Sequence, residues 1–356
     1  MRHTKLLTAV SLVVGCSSSP RGSVPVERDG GLDFAPPYVA DLLTPSDLSL
    51  PRDLALPPAP GCGAPGGKGT YRYVVRSLRL PAQRVDHAWD LNGDGRVDNH
   101  YGNIVGALAG QTVDAQGAAN QAVATGATIE LLSLLCADPR LEADASAVVT
   151  AQAGLPRANP DYRGNGTFTV DQGFAPGLFC GALSQSSFAS EDPATTKRPV
   201  KLVIRLPLLG LTPGSPPPPL TLSGARLAFT TVRGGPNMPP TLIKGQVNGS
   251  ISVREIHDVV VPAVAGVLEA RVRADPNSGA AKQILILFDT GGCGAARAND
   301  GRIDPCEVEQ NPIFNNLLGP DVEIYNAKGE YAPNPANTTP NAMSIGFAFE
   351  AVQAKF

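Results

Sequence analysis

The feature that most limits how this chain can fold is a set of stretches in which apolar, largely β-branched residues alternate with polar ones. They are residues 70–80, 128–135, 148–152, 166–170, 199–208, 220–232, 242–253, 321–325 and 343–354. A period of two places alternate side chains on one face, so each stretch reads as a half-buried strand. In the last, Ile345, Phe347, Phe349 and Ala351 share a face. Helical spacing is rarer. From Val253 to Val272, Ile256, Val259, Val260, Ala263, Val264 and Val267 recur every three or four residues, and Pro262 predicts a kink or a break there. Residues 103–124, 279–289 and 307–318 are the other helical candidates. The expected fold is β-rich α+β: sandwich-like antiparallel sheets with a few helices packed at the ends or on one face. The proline-rich residues 213–219 lie between two strand-like stretches, where a hairpin loop belongs.

The N-terminus carries a different signal. Arg2 and Lys5 precede the apolar run Leu6 to Val14, which is too short to span a bilayer as a helix, for which about 20 residues are needed. Val13-Val14-Gly15-Cys16 follows, and it resembles the lipobox of exported bacterial lipoproteins. That resemblance implies cleavage after residue 15, lipidation of Cys16 and tethering to a membrane. Ser17 stands where an aspartate would favour inner-membrane retention, so the expected address is the outer membrane of a Gram-negative cell envelope. Residues 16–68 are rich in proline, glycine and serine and contain a hexad repeat beginning at Asp41, Asp47 and Asp53, with Pro45, Pro51 and Pro57 at its fifth place. Proline at this density favours polyproline II and reads as a stalk or spacer. The expected organisation is a signal peptide (1–15), a disordered stalk (16–68) and a single domain (69–356). Without residues 1–15 the chain has 27 basic and 32 acidic side chains, a charge of −5. That balance offers no electrostatic case for nucleic acid.

Two aspartate-rich stretches carry the chemistry. In residues 90–101, Asp90, Asn92, Asp94 and Asp98 stand at loop positions 1, 3, 5 and 9. Gly95 takes the turn at position 6, and Arg96 offers its carbonyl at position 7. Calcium takes six to eight hard oxygens, and alternate residues of a tight loop converge theirs on one point. This pattern resembles the calcium loops of EF-hands and dockerin-type modules. It departs from them at position 12, where Tyr101 replaces the bidentate glutamate. A second, interrupted version spans 289–307, with Asp289, Asn299, Asp300, Asp304 and Glu307 as candidate ligands. An apolar run ending at Phe288 leads into it, residues 291–298 are inserted, and Glu307 opens an exit helix. Both contain an Asp-Gly-Arg-aliphatic-Asp core, at 94–98 and 300–304. The resemblance implies calcium as the bound ion and an EF-hand-like segment within the fold, but no activity.

An exported chain meets an oxidising compartment, so disulfides are expected. Cys293 and Cys306 form the best pair by proximity, Cys136 with Cys180 a weaker one, and Cys62 is left over. Trp89 reads as a packing anchor or, less readily, a sugar platform. His87 and His100 flank the first loop, but its oxygens select a hard ion. No Gly-x-Ser-x-Gly elbow, His-Glu-x-x-His pair or phosphate loop occurs. The leading functional expectation is a tethered, calcium-stabilised, non-enzymatic protein of binding or envelope structure, its protein or glycan partner unspecified. The alternatives are a secreted hydrolase with a site assembled from distant residues, and a carrier of apolar ligands.

Overall fold

The computed structural model describes residues 68–110, 114–196, 198–206, 216–233, 240–290, 293–294 and 299–356. The chain divides into two compact units, Met1–Leu54 and Ala55–Phe356, and all of these residues belong to the second. The lipobox, the proline-rich stretch and Cys62 lie outside the described residues.

Among the described residues nine antiparallel strands are formed: β1 (Gly69–Arg79), β2 (Glu130–Cys136), β3 (Asp144–Ala153), β4 (Gly177–Ser184), β5 (Ser187–Ser190), β6 (Lys201–Ile204), β7 (Leu220–Arg233), β8 (Pro240–Ser252) and β9 (Ala342–Gln353). Their order is β5-β4-β3-β2-β1-β9-β8-β7-β6, and β5 also pairs with β7. The sheet therefore closes. Eight strands make a barrel, and β6 runs on beside the first part of β7. This corrects the sandwich expected from the alternation. The reason lies in β7, whose 14 residues exceed what one neighbour covers. Residues 220–223 pair with β6, and 228–230 pair with β5. The edges that would end an open sheet thus satisfy each other, which removes the exposed hydrogen-bonding groups of an edge strand.

Alternation decides which side chains enter the barrel. Around one belt the paired residues are Leu183, Phe188, Phe229, Gly245, Phe349 and Leu78. The five with side chains are at most 4% exposed. Phe188 and Phe229 stack with centroids 5.0 Å apart. Gly245 makes room for its neighbours, since a β-carbon there would stand 2.5 Å from the Ala228 carbonyl oxygen and 2.7 Å from a Phe349 ring carbon. The belt is filled by side chains. The outer wall carries Glu350 between Arg76 (2.9 Å) and Lys244 (3.0 Å). Among the described residues no helix is long and apolar enough to cross a membrane.

The helices are α1 (His100–Gly110), α2 (Ala115–Thr125), α3 (Pro193–Thr196), α4 (Val253–Glu255), α5 (Val261–Ala274), α6 (Gly279–Phe288), α7 (Pro305–Gln310) and α8 (Pro312–Leu318). A π-helical turn, Ile256–Val260, joins α4 to α5. It answers the expectation about Pro262. Pro262 has no N–H to donate and its ring crowds the carbonyl four residues back, and the preceding Val261 N–H reaches back five residues to Ile256. Pro312 divides the 307–318 candidate, with Asn311 capping α8 by accepting from the Ile313 and Phe314 N–H groups. Stretches 166–170 and 321–325 form only isolated bridges, such as Thr167 with Lys355 and Val322 with Ala342.

The EF-hand-like segment is also corrected. The first loop follows β1 and irregular chain, with no entering helix. The second lies between α6 and α7, but its two halves are separated by the insert and α7 is six residues long. Neither loop sits in a paired helix–loop–helix. Cys293 and Cys306 form the expected disulfide. The pairing of Cys136 with Cys180 does not occur, for Cys136 is a free, buried thiol and Cys180 is bonded in another disulfide.

Candidate functional site

The first loop is a knot of side chain-to-backbone hydrogen bonds. Asp90 accepts from the Gly93 N–H (2.6 Å) and the Gly95 N–H (2.8 Å). Asn92 accepts from Asp94 (3.1 Å), and Asp94 accepts from Arg96 (2.8 Å). Gly93 and Gly95 both have positive φ, the conformation that lets the chain turn this tightly. Asp98 closes the ring, since its backbone N–H bonds to the Trp89 carbonyl and its carboxylate accepts from Leu91 at 3.0 Å.

Residues far away in sequence dock this loop on the barrel wall. Asn99, fully buried, donates to the carbonyls of Asp86 and Gly346 and accepts from the Gly346 N–H. Asn248 on β8 donates to the carbonyls of His87 and Asp98. Ser344 on β9 accepts from the His100 N–H and is itself held by Asp321. Arg84 lies 3.6 Å from Asp98 and 3.7 Å from Asp321. Burial pushes the Asp98 carboxyl up to about 6; the Leu91 N–H opposes this, while the charges of Asp321, Asp94 and Asp90 add to it.

The residues that flank the ligand positions have other partners. Val97 is exposed, and Leu91 is the apolar residue that packs inward. Tyr101 is wholly buried, a core residue and not a ligand. His100 bonds to the Leu317 carbonyl at 3.0 Å, and burial lowers the pKa of His87. Trp89 lies 5.9 Å from the Arg226 guanidinium, a packing role.

The second loop repeats the same local geometry. Asp289 accepts from the Asp300 N–H (3.2 Å) and the Gly301 N–H (2.8 Å), as Asp90 does from Gly95. Asp300 accepts from Arg302 (2.9 Å), as Asp94 does from Arg96. Gly301 has positive φ like Gly95. Here the aliphatic residue, Ile303, is buried, and its N–H is held by Glu269 from α5 at 2.8 Å. Asn299 is exposed at positive φ. Asp304 caps α7 and exchanges hydrogen bonds with Glu307, a capping box.

Glu307 is the anomaly. It is 2% exposed, and one carboxylate oxygen accepts from the Asp304 N–H at 3.0 Å. The other, Oε1, is buried with no hydrogen-bond partner. Burial raises its pKa most; the Asp304 N–H opposes, and the charges of Asp304, Asp289 and Asp300 raise it further. A buried carboxylate oxygen without a donor costs on the order of 1–3 kcal/mol or more. A hard cation is the group that such a cluster of oxygens fits.

The carboxylates do not yet converge. Among the described residues, the set with three ligand atoms within 4.8 Å of one another is Cys293, Asp304 and Cys306. Its sulfurs are joined as a disulfide and are not thiolate ligands. Glu269, Asn99, Asn248, Ser344, Asp321 and Arg84 were not legible as supports. All but Asn99, Arg84 and Glu269 lie more than 30 residues from the loop they brace, and no local pattern marks them.

A separate cavity of about 290 Å³ lies between the π-helical turn and α8, lined by Val253, Ile256, His257, Val261, Phe314 and Leu318 among others. His257 there is flanked on both ring nitrogens, by Asp258 at 3.0 Å and Glu309 at 3.2 Å. Comparison with family models, curated proteins and solved structures gives no match for this chain.

Proposed function

We propose that this chain is a calcium-ordered, non-enzymatic barrel that works by binding at the cell envelope, tethered through a lipid on Cys16. The observation that supports it best is the buried, unpartnered Oε1 of Glu307 among Asp289, Asp300 and Asp304. In the second loop these four, with Asn299 at the mouth, supply hard oxygens. In the first, Asp90, Asn92, Asp94, Asp98 and the Arg96 carbonyl do so. Calcium would supply there the positive charge that the carboxylates lack, and the chain's own groups would hold it. The matching hydrogen-bond pattern of the two loops supports a shared role. The lipid tether rests on the sequence of residues 1–19.

The alternatives have weaker support, since the largely apolar-lined cavity of about 290 Å³ lies beside α8 and not inside the barrel. A carrier needs an internal cavity, and the aromatic belt fills the barrel with side chains. A hydrolase needs a base free to take a proton, whereas both nitrogens of His257 face carboxylates.

The test is calorimetric titration of calcium into the chelator-stripped protein, with melting curves alongside. Saturable binding is expected, with a stabilisation of about 2.7 kcal/mol when free calcium reaches a hundred times Kd. Glu307→Gln keeps the bond to Asp304 and removes the charge, so it should melt no lower than wild type in chelator yet lose most of the calcium shift. An unchanged melting temperature for the wild type, with no heat of binding, refutes the proposal.

A further inference from the structure

We infer that Cys293, Cys306 and Asp304 form a redox-gated zinc site, closed while the two sulfurs are joined and able to take the ion once a dithiol reductant has parted them. It does not depend on calcium at the neighbouring carboxylates, and the two ions would compete for Asp304. A ligand atom from each of the three residues lies within 4.8 Å of the other two, and all three residues are half-buried, within reach of solvent. The closeness of the sulfurs follows from their bond. The informative member is Asp304, whose carboxylate stands close to both.

What fixes Asp304 and Cys306 is separate from the disulfide. They lie between Ile303 and Val308, which are both in the core. Glu269 holds the Ile303 N–H at 2.8 Å, and Asp304 accepts from the Glu307 N–H at 3.1 Å. Cys293 comes four residues after Asp289, which accepts from the Asp300 and Gly301 N–H groups. Opening the bond therefore leaves both cysteines tethered to one loop, with α-carbons that start 6.0 Å apart. Two thiolates on a tetrahedral zinc stand roughly 3.7 Å apart, a separation that rotation of the side chains supplies. Gly294, at positive φ, has no atom within 4 Å of where a β-carbon would stand, so the chain beside Cys293 has room to adjust.

The donor set selects the ion. Reduction is a two-electron exchange: the reductant's two thiols become a disulfide, and their protons pass to the Sγ atoms of Cys293 and Cys306. Zinc then displaces both protons. Two thiolates and one carboxylate fill three of its four positions, and water takes the last. Thiolates disfavour calcium and magnesium, hard ions that take oxygen, and the carboxylate favours zinc over copper(I). In the oxidised chain the same sulfurs are neutral and are not zinc ligands. The state of one bond thus decides whether the site exists.

The experiment is titration of the full chain carrying Cys16→Ser with cobalt(II), and with zinc in competition, in calcium-free buffer. It is run on oxidised protein and after treatment with a water-soluble phosphine, which opens disulfides without offering the metal a thiol. The reduced protein should show thiolate-to-cobalt absorption that saturates at one equivalent and is abolished by zinc. Its zinc affinity should be about a hundred-fold higher than that of the oxidised protein, or more. Cys293→Ser/Cys306→Ser keeps the other cysteines and should lose the absorption. Both proteins are compared reduced, when neither has the staple, so its loss cannot explain the difference. Asp304→Asn keeps an acceptor for the Glu307 N–H and should keep the absorption. It should weaken zinc binding by about ten-fold or more, since loss of a group that merely supports a ligand already costs that much. Absence of the thiolate band in the reduced protein overturns the inference, as does an equal band in the serine pair. Undiminished zinc affinity in Asp304→Asn also overturns it, because the three residues then do not act as one site.

Discussion

Glu130 gives the sharpest check on the physical argument. It opens β2, and its carboxylate accepts from the Arg205 N–H at 2.9 Å. Arg205 follows β6; its carbonyl accepts from the Thr128 hydroxyl, and its guanidinium pairs with Asp171 at 3.0 Å and lies over Phe174. The cluster ties the start of β2 to the chain beyond β6. Burial pushes the Glu130 carboxyl from its ordinary 4.5 up to about 8, against the opposing pull of the Arg205 N–H and charge. The folded value lies above the unfolded one. Below pH 4.5 the group is protonated in both states and costs nothing. As pH rises towards 8 the unfolded chain ionises first, and stability falls. At pH 7 the gap of about 2.5 pH units corresponds to ~3 kcal/mol, reduced to about 2 kcal/mol by partial solvent screening. Glu130→Gln keeps an acceptor for Arg205 and has no proton to lose. It should raise the melting temperature by about 4–8 °C at pH 7, and the gain should shrink to near zero at pH 4.5. Thermal unfolding of both proteins across that range reads the difference, since every other titratable group is common to both. A gain that is equal at both ends of the range, or a loss at pH 7, refutes the reasoning.

Two further substitutions test the architecture. Asn99→Ala removes three buried hydrogen bonds that dock the first loop and leaves the Gly346 N–H unpaired, so a loss of about 2–4 kcal/mol is expected. Hydrogen exchange should then show residues 86–99 opening while the strands stay protected; uniform loss of protection would refute a local role. Gly245→Ala forces a β-carbon against the Ala228 carbonyl and the Phe349 ring, and overpacking of this kind costs about 1–3 kcal/mol or more. Unchanged urea denaturation would mean that the belt has slack and the barrel is not filled there.

Most strands were legible because alternation is local, yet the closure was not. The missing pieces are β4 and β5, a hairpin turned by Gln185 and Ser186, both at positive φ. A two-residue turn of this kind is ordinarily marked by Asn-Gly or Asp-Gly, and here that mark is absent. The sequence of β4, Gly177-Leu-Phe-Cys-Gly-Ala-Leu-Ser, is too small-residue-rich to stand out. With β5 only four residues long, nothing local announced that β7 had a second partner. Strand 321–325 failed for the opposite reason. Its pattern is right, but Asn337 and Asn341 side chains satisfy the backbone of Glu323, Ile324 and Tyr325 in place of a strand. The Cys293–Cys306 disulfide and the helix starts at Val253 and Gly279 were local and legible, whereas the 103–124 candidate is two helices, α1 and α2, and the bracing of the first loop by Asn248, Ser344 and Asp321 had no local mark.

The two loops show how far a motif reaches before its surroundings take over. Asp-Gly-Arg-aliphatic-Asp dictates the same turn twice, with matching glycine φ and matching aspartate-to-N–H bonds. Beyond the turn the loops diverge. In the uninterrupted loop, Asp90, Asn92, Asp94 and Asp98 all accept from backbone N–H groups, and Arg84 approaches Asp98. Its oxygens are thus occupied by the chain's own donors, while the charges of Asp321, Asp94 and Asp90 still raise the Asp98 pKa. In the interrupted loop the capping box uses one oxygen of Glu307 and leaves the other buried without a donor, and the charges of Asp304, Asp289 and Asp300 raise its pKa. Completeness of the ligand pattern therefore ranks the loops one way and unanswered charge ranks them the other. On the calcium reading proposed above, the interrupted loop is therefore the one expected to bind the ion more tightly, which separate titrations of Asp90→Asn and Glu307→Gln would decide.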